Sequence, residues 1–286
     1  MRNKKIAILL VTFVLLLVTV IPVAAITWGE PDNGEHPHVG TLLFVQNGVG
    51  YYSCTGTMIA PSVMLTAGHC VEENGNINDV TYVRFAEDAM ASYGDYSSTQ
   101  EWLNKEWLAV KTVIPHPKFD DYAKFPMTYD VGVVILKKPY YPKDSNGNFV
   151  FGELPELYFL EGLTGVEKNH FTVVGYGMQG TLPPFYQDDY ARYKGIVKLL
   201  EVSSYLTAGG EANAKFSNNQ GIGGGTCYGD SGGPTFFKDT NLIVAVTSFG
   251  WAKNGNCIGN DYNYRMDIPD ALDFLYDILN KYSGKR

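Results

Sequence analysis

Between Thr41 and Met266 the apolar residues fall into ten short stretches punctuated by Gly, Pro and Asn, and this rhythm limits the fold more than any other feature. The stretches are Thr41–Val45, Thr57–Thr66, Val80–Phe85, Ala109–Ile114, Val131–Leu136, Phe171–Gly175, Gly195–Val202, Pro234–Phe237, Leu242–Phe249 and Tyr262–Met266. They are rich in Val, Ile, Thr, Tyr and Phe, which suit a pleated, half-buried surface. Short strands between turn residues predict an all-β sandwich or barrel. With 31 Gly, 14 Pro and 14% aromatic residues, the chain is neither a helical bundle nor disordered. Its 286 residues allow one large domain or two modest ones. A net charge of −8 argues against a nucleic-acid partner.

One helix is predicted, at the C-terminus. Pro269 suits a first helical position, and Leu272, Leu275, Ile278, Leu279 and Tyr282 recur at spacings of three and four. Lys281, Lys285 and Arg286 stand where the helix dipole favours cations. Tyr140–Gly165 is the expected link between two halves.

Arg2, Lys4 and Lys5, the apolar run Ile6–Ile21 and the small residues up to Ala25 have the pattern of a secretory signal cut before Ile26. A membrane anchor is the alternative, since the run approaches the shortest span. Export permits disulfides, and the four cysteines allow three pairings that spacing does not decide. There is no CxxC and no Cys/His spacing typical of zinc.

Three segments carry chemistry. In Gly229-Asp230-Ser231-Gly232-Gly233-Pro234 a serine is flanked by glycines, whose backbone freedom can aim successive N–H groups at one point. The same residue types also build ordinary surface turns. In Leu65-Thr66-Ala67-Gly68-His69-Cys70 a histidine ends a strand-like run beside a cysteine. In Tyr129-Asp130-Val131-Gly132-Val133-Val134-Ile135-Leu136 an acid enters an apolar strand, which is costly unless the acid is hydrogen-bonded.

Together, and in the order His, Asp, Ser, these segments resemble the trypsin/chymotrypsin family of serine endopeptidases. Ile114–Asp120, Val173-Val174-Gly175-Tyr176-Gly177 and Ser248-Phe249-Gly250-Trp251 extend the resemblance over most of 26–286, with residues 86–107 and 203–222 out of line. It implies two antiparallel six-stranded β-barrels, about 26–145 and 160–268, with the active site in the cleft between them and a helix at 269–282. It implies His69 as general base and acid, Asp130 as its orienting partner, and Ser231 as nucleophile. The N–H groups of Gly229 and Ser231 would form the oxyanion hole. Ser248 would support Asp130, Gly250 would pair with the substrate backbone, and Gly225, Thr226 and Phe249 would complete the substrate site. The pairings Cys54–Cys70 and Cys227–Cys257 follow from the same resemblance, as does an ion pair between the Ile26 amine and Asp230. No cofactor or metal is implied. The expected partners are protein or peptide substrates, met by a secreted monomer with no membrane association after signal removal.

The pattern is broken in two places. Tryptic members carry an aspartate where this chain has Gly225, so no buried charge is expected to neutralise Lys or Arg at P1, and a small or apolar P1 residue is expected. Aligning on Tyr264 puts Tyr262 on the pocket wall, where it would narrow the pocket. The start Ile26-Thr27-Trp28-Gly29 also departs from the family's Val-Gly-Gly and leaves no room for a propeptide. A binding protein lacking catalysis usually lacks a member of the triad, and all three stand here. An α/β-hydrolase would place its nucleophile before the histidine.

Overall fold

A computed structural model describes residues 26–46, 49–73, 75–77, 80–120, 125–180, 188–203, 212–251 and 256–283. The segment read as a signal, 1–25, lies outside them, as do Lys285 and Arg286.

The first barrel closes through β2 (Val39–Gln46), β3 (Val49–Ala60), β4 (Val63–Thr66), β9 (Gly132–Leu136), β8 (Leu108–Pro115) and β7 (Val80–Arg84), in that order. A two-residue ribbon, β5 (Glu72–Glu73) with β6 (Asn76–Ile77), stands apart from it. Alternate residues such as Leu42, Met58, Met64, Val83 and Val134 fill its interior, because side chains along a strand point to opposite faces.

The second sheet runs β1 (Glu30–Pro31), β11 (Tyr193–Val197), β10 (Phe171–Gly175), β14 (Pro234–Phe237), β15 (Ile243–Trp251), β16 (Gly259–Arg265), β13 (Asn213–Asn218) and β12 (Leu199–Glu201). Strands β11 and β12 are successive parts of one stretch interrupted at Lys198, whose N–H donates to Ser217 Oγ (2.9 Å). Unlike the first barrel, this sheet is not closed by strand pairing among the described residues; it forms a half-barrel over a core that includes Phe171, Val173, Val197, Phe216 and Val244. The short β1 pairs with the outside of β11 and carries the start of the described chain onto this second sheet.

Between the halves lies one apolar cluster. Val39, Leu65 and Val133 from the first barrel meet Val174, Phe236 and Tyr264 from the second, and Ala271, Leu275 and Ile278 join them from the C-terminal helix. A polar cross-tie accompanies it. Arg192 donates to Asp32 Oδ2 (2.8 Å), to the carbonyls of Val39 and Phe85 (3.0 Å each) and to the Tyr176 hydroxyl (3.0 Å). Burial opposes ionisation of Asp32, but His36 and Arg192 beside it hold its carboxyl well below the usual range.

A helix that the sequence pattern does not predict, α1 (Thr99–Glu106), precedes β8. Ser98 caps it by accepting from Glu101 N–H (3.2 Å), and Trp102 and Leu103 are buried beside Trp107. Adjacent apolar residues on two turns leave no three-four periodicity to read. The predicted C-terminal helix, α2, spans Pro269–Tyr282 with Pro269 in its first turn.

Candidate active site

Barrel register brings the histidine and the first acid together. Strands β4 and β9 pair antiparallel with Thr66 opposite Gly132. His69, just past the end of β4, and Asp130, just before β9, therefore emerge from the same end of the barrel. Asp130 is fully buried. Its Oδ1 accepts the His69 backbone N–H (2.9 Å), and its Oδ2 lies 3.0 Å from His69 Nδ1. The Ser248 hydroxyl donates to the same Oδ2. Burial acts to raise the Asp130 pKa, but the charge of His69 and the hydrogen bonds from His69 and Ser248 outweigh it and hold the carboxyl below its ordinary value.

Ser231 comes from the second half and is tied to the first by Thr55. Thr55 donates its N–H to Ser231 O (2.8 Å) and its hydroxyl to Gly229 O (2.9 Å). Sequence reasoning did not single out Thr55; only its place beside Cys54 hinted at it. The N–H groups of Asp230, Gly232 and Gly233 are engaged with Cys227, Thr247 and Asp230 carbonyls. Those of Gly229 and Ser231 have no acceptor among the described residues. Both disulfides, Cys54–Cys70 and Cys227–Cys257, are formed, the first next to His69 and the second close before Ser231. The one group of described residues with metal-ligand proximity is Cys54, His69 and Cys70, and the disulfide occupies both of its sulfurs.

Asp230 points inward, away from the cavity described next. Its carboxylate accepts from Gly177 N–H and Cys227 N–H (2.8 Å each). A Cβ on Gly175 would lie 2.1 Å from Asp230 Oδ1 and one on Gly177 2.5 Å from Cγ, which explains the Gly-aromatic-Gly sequence there. Burial, reinforced by Asp261 and Asp188, pushes the Asp230 carboxyl up to about 7 against these two donors. Ile26 is fully buried against Gly195, and Thr27 bridges to Gly225. In the uncut chain the Ile26 nitrogen is a peptide nitrogen and carries no charge.

His69 and Ser231 line the same cavity of about 380 Å³, together with Thr226, Tyr228, Phe249, Gly250, Ile258 and Asp261. Strand β15 pairs with β14 only as far as Val246, after which Thr247 donates its N–H to Gly233 O (2.9 Å) and accepts from Gly232 N–H (2.8 Å). Beyond that point the Ser248–Gly250 segment lines the cavity. Two expectations about the pocket need correction. Tyr262, expected on its wall, instead stacks on Phe249 (5.1 Å, 11°). The pocket also has a buried acid after all: Asp261, next to Tyr262 on β16, lines the cavity because neighbouring strand residues face opposite ways.

The family model named Trypsin matches residues 26–273. The chain is similar to chymotrypsin-like elastase family member 1 of Macaca fascicularis, 23% identical over 77% of this chain and 76% of that protein. The Rattus norvegicus protein of the same name is 24% identical over the same shares. A solved structure of HL collagenase superposes with a TM-score of 0.61 at 21% identity, covering 91% of this chain and 100% of that one.

Proposed function

This chain belongs to the trypsin family of serine peptidases, and we propose that it is an exported, monomeric endopeptidase that cuts peptide bonds through Ser231, His69 and Asp130. A serine hydroxyl is a weak nucleophile without an adjacent base. His69 takes the Ser231 proton as Oγ attacks the scissile carbonyl, and then delivers it to the leaving amine as the acyl-enzyme forms. Water repeats the sequence and frees the acid. Asp130 fixes the imidazole with Nδ1 protonated and stabilises the imidazolium. The N–H groups of Gly229 and Ser231 hold the oxyanion, at a few kcal/mol per donor. The Ser248–Gly250 segment receives the substrate backbone as an added strand. The observation that carries this reading is the two-point hold of buried Asp130 on His69, at a cavity His69 shares with Ser231.

Signal cleavage before Ile26 frees the amine that pairs with Asp230, so the enzyme leaves the cell active. Gly225 supplies no counter-charge, and a preference for Lys or Arg at P1 is not expected. Apolar P1 residues suit Phe249 and Ile258. The test is peptide hydrolysis by purified residues 26–286 and by Ser231→Ala with its circular dichroism unchanged. Loss of turnover in the variant supports the assignment, and persistent turnover rejects it.

A further inference from the structure

Among the described residues the cavity holds one acid, and it does not come from the position where a tryptic pocket carries one. A Cβ on Gly225 would lie 2.1 Å from Asn218 Cγ, so Asn218 fills the space that a side chain at 225 would need. Asn218 in turn presents an acid from the neighbouring strand. Its Nδ2 donates to Asp261 Oδ1 (2.7 Å), while Thr226 donates its N–H (2.7 Å) and hydroxyl (2.8 Å) to Asp261 Oδ2. Asp261 is 2% exposed and lines the cavity with Ser231.

A carboxylate offers about four acceptor positions, and three donors reach this one. Oδ1 keeps one position open. No Lys or Arg pairs with Asp261 among the described residues, so its charge is stabilised by neutral donors alone. A buried charge in that condition is costly, and a cation arriving in the cavity would relieve the cost. The same cavity keeps an apolar wall in Phe249 and Ile258.

Resting on the endopeptidase reading above, we propose that Asp261 is a specificity-determining residue whose carboxylate lets the pocket accept Lys or Arg at P1 alongside apolar residues. The charge reaches the pocket from β16, with Asn218 standing in the space above Gly225. Because three donors already draw on it, the pocket tolerates a cation without demanding one. Burial pushes the Asp261 carboxyl up to about 6 against the pull of Asn218 and Thr226. The titratable groups around it are Asp230, whose charge couples to it, and His69 and Tyr228, which line the same cavity. Titration of His69 affects every substrate alike and cancels in a ratio of two peptides.

The experiment measures kcat/KM for matched peptides that differ only at P1, Arg against Leu, between pH 5 and 7.5. The Arg-to-Leu ratio is expected to rise about tenfold over that range as Asp261 ionises. Asp261→Asn is expected to lower the ratio by about tenfold or more at pH 7.5. A ratio that is flat with pH, or unchanged in Asp261→Asn, overturns the proposal while leaving the endopeptidase reading intact. So does wild-type enzyme that cuts after Leu but never after Arg. If Asp261→Asn does not fold, the wild-type pH profile decides alone. Failure to cut any peptide, with Ser231 unreactive, overturns both readings.

Discussion

Asp130 holds His69 at two points, one carboxylate oxygen on the backbone N–H at 2.9 Å and the other 3.0 Å from Nδ1. A single contact would leave the ring free to swing; two fix both the loop and the tautomer. Asp130→Asn keeps the size but loses the charge and the acceptor on one side. It is expected to lower kcat by about 10⁴-fold. Ser248→Ala removes one hydrogen bond to the charged group, worth about 1.5–3 kcal/mol, so a loss of roughly 10- to 100-fold is expected. Steady-state kinetics on both variants check the order. A greater loss for Ser248→Ala than for Asp130→Asn would contradict the role given to Asp130.

The proposed ion pair between the Ile26 amine and Asp230 would link activation to pH. In the uncut chain the Asp230 carboxyl is raised to about 7 by burial. A raised folded-state pKa means that the folded chain holds a proton the unfolded chain has released. Stability therefore falls as pH climbs from about 4 to 7. An amine at Ile26 would compensate the carboxylate and remove that slope. A form extended by a few residues before Ile26 is expected to lose more stability over this range in urea titrations than the form starting at Ile26. The extension should also cut activity sharply, because a buried charge without its partner costs roughly 3–5 kcal/mol. Full activity with the extension in place would reject the ion pair.

His38 sets an acid limit on stability. It is fully buried, lies 5.4 Å from the Phe236 ring, and neither ring nitrogen has a hydrogen-bond partner among the described residues. Burial, with help from His36 and Arg192, pushes its pKa down to about 3. The unfolded chain takes up a proton near pH 6.5 that the fold refuses, so stability is lost as pH falls from about 6.5 to 3. His38→Phe is expected to recover on the order of 2–3 kcal/mol at pH 4.5 relative to its effect at pH 7.5. Equal effects at the two pH values would show that His38 does not titrate in this way.

Gly225→Asp, a change that would imitate a tryptic pocket, is expected to fail alone. Its Cβ would lie 2.1 Å from Asn218 Cγ, and its charge would join Asp261 in the same space. Overpacking of this kind costs about 1–3 kcal/mol before any charge repulsion. Thermal melts should show the loss, and P1 profiling should show no new preference for Arg. A stable variant with strong Arg preference would show that Asn218 moves aside freely.

The strands that shape the cleft were legible because their apolar runs are bounded by turn residues; β10 and β14 match their predicted limits, Phe171–Gly175 and Pro234–Phe237. Strand β13 was not, because Asn213–Asn218 is largely polar and gains its place from pairing with β16. The same holds at the site. Ser231, His69 and Asp130 stand in local patterns that chemistry demands. Asn218, Thr226 and Asp261 lie on three separate segments, and only the fold brings them to one carboxylate. Thr55 likewise acts across the two barrels on Gly229 and Ser231, a contact no local pattern encodes.

The assignment of Ser231 as nucleophile is tested by mass spectrometry of the purified chain after treatment with a serine-directed sulfonyl fluoride. One adduct, on Ser231, formed in step with loss of peptide hydrolysis and absent in His69→Ala, is the predicted result. Hydrolysis that continues with Ser231 fully modified, or inactivation with the adduct on another residue, would contradict it.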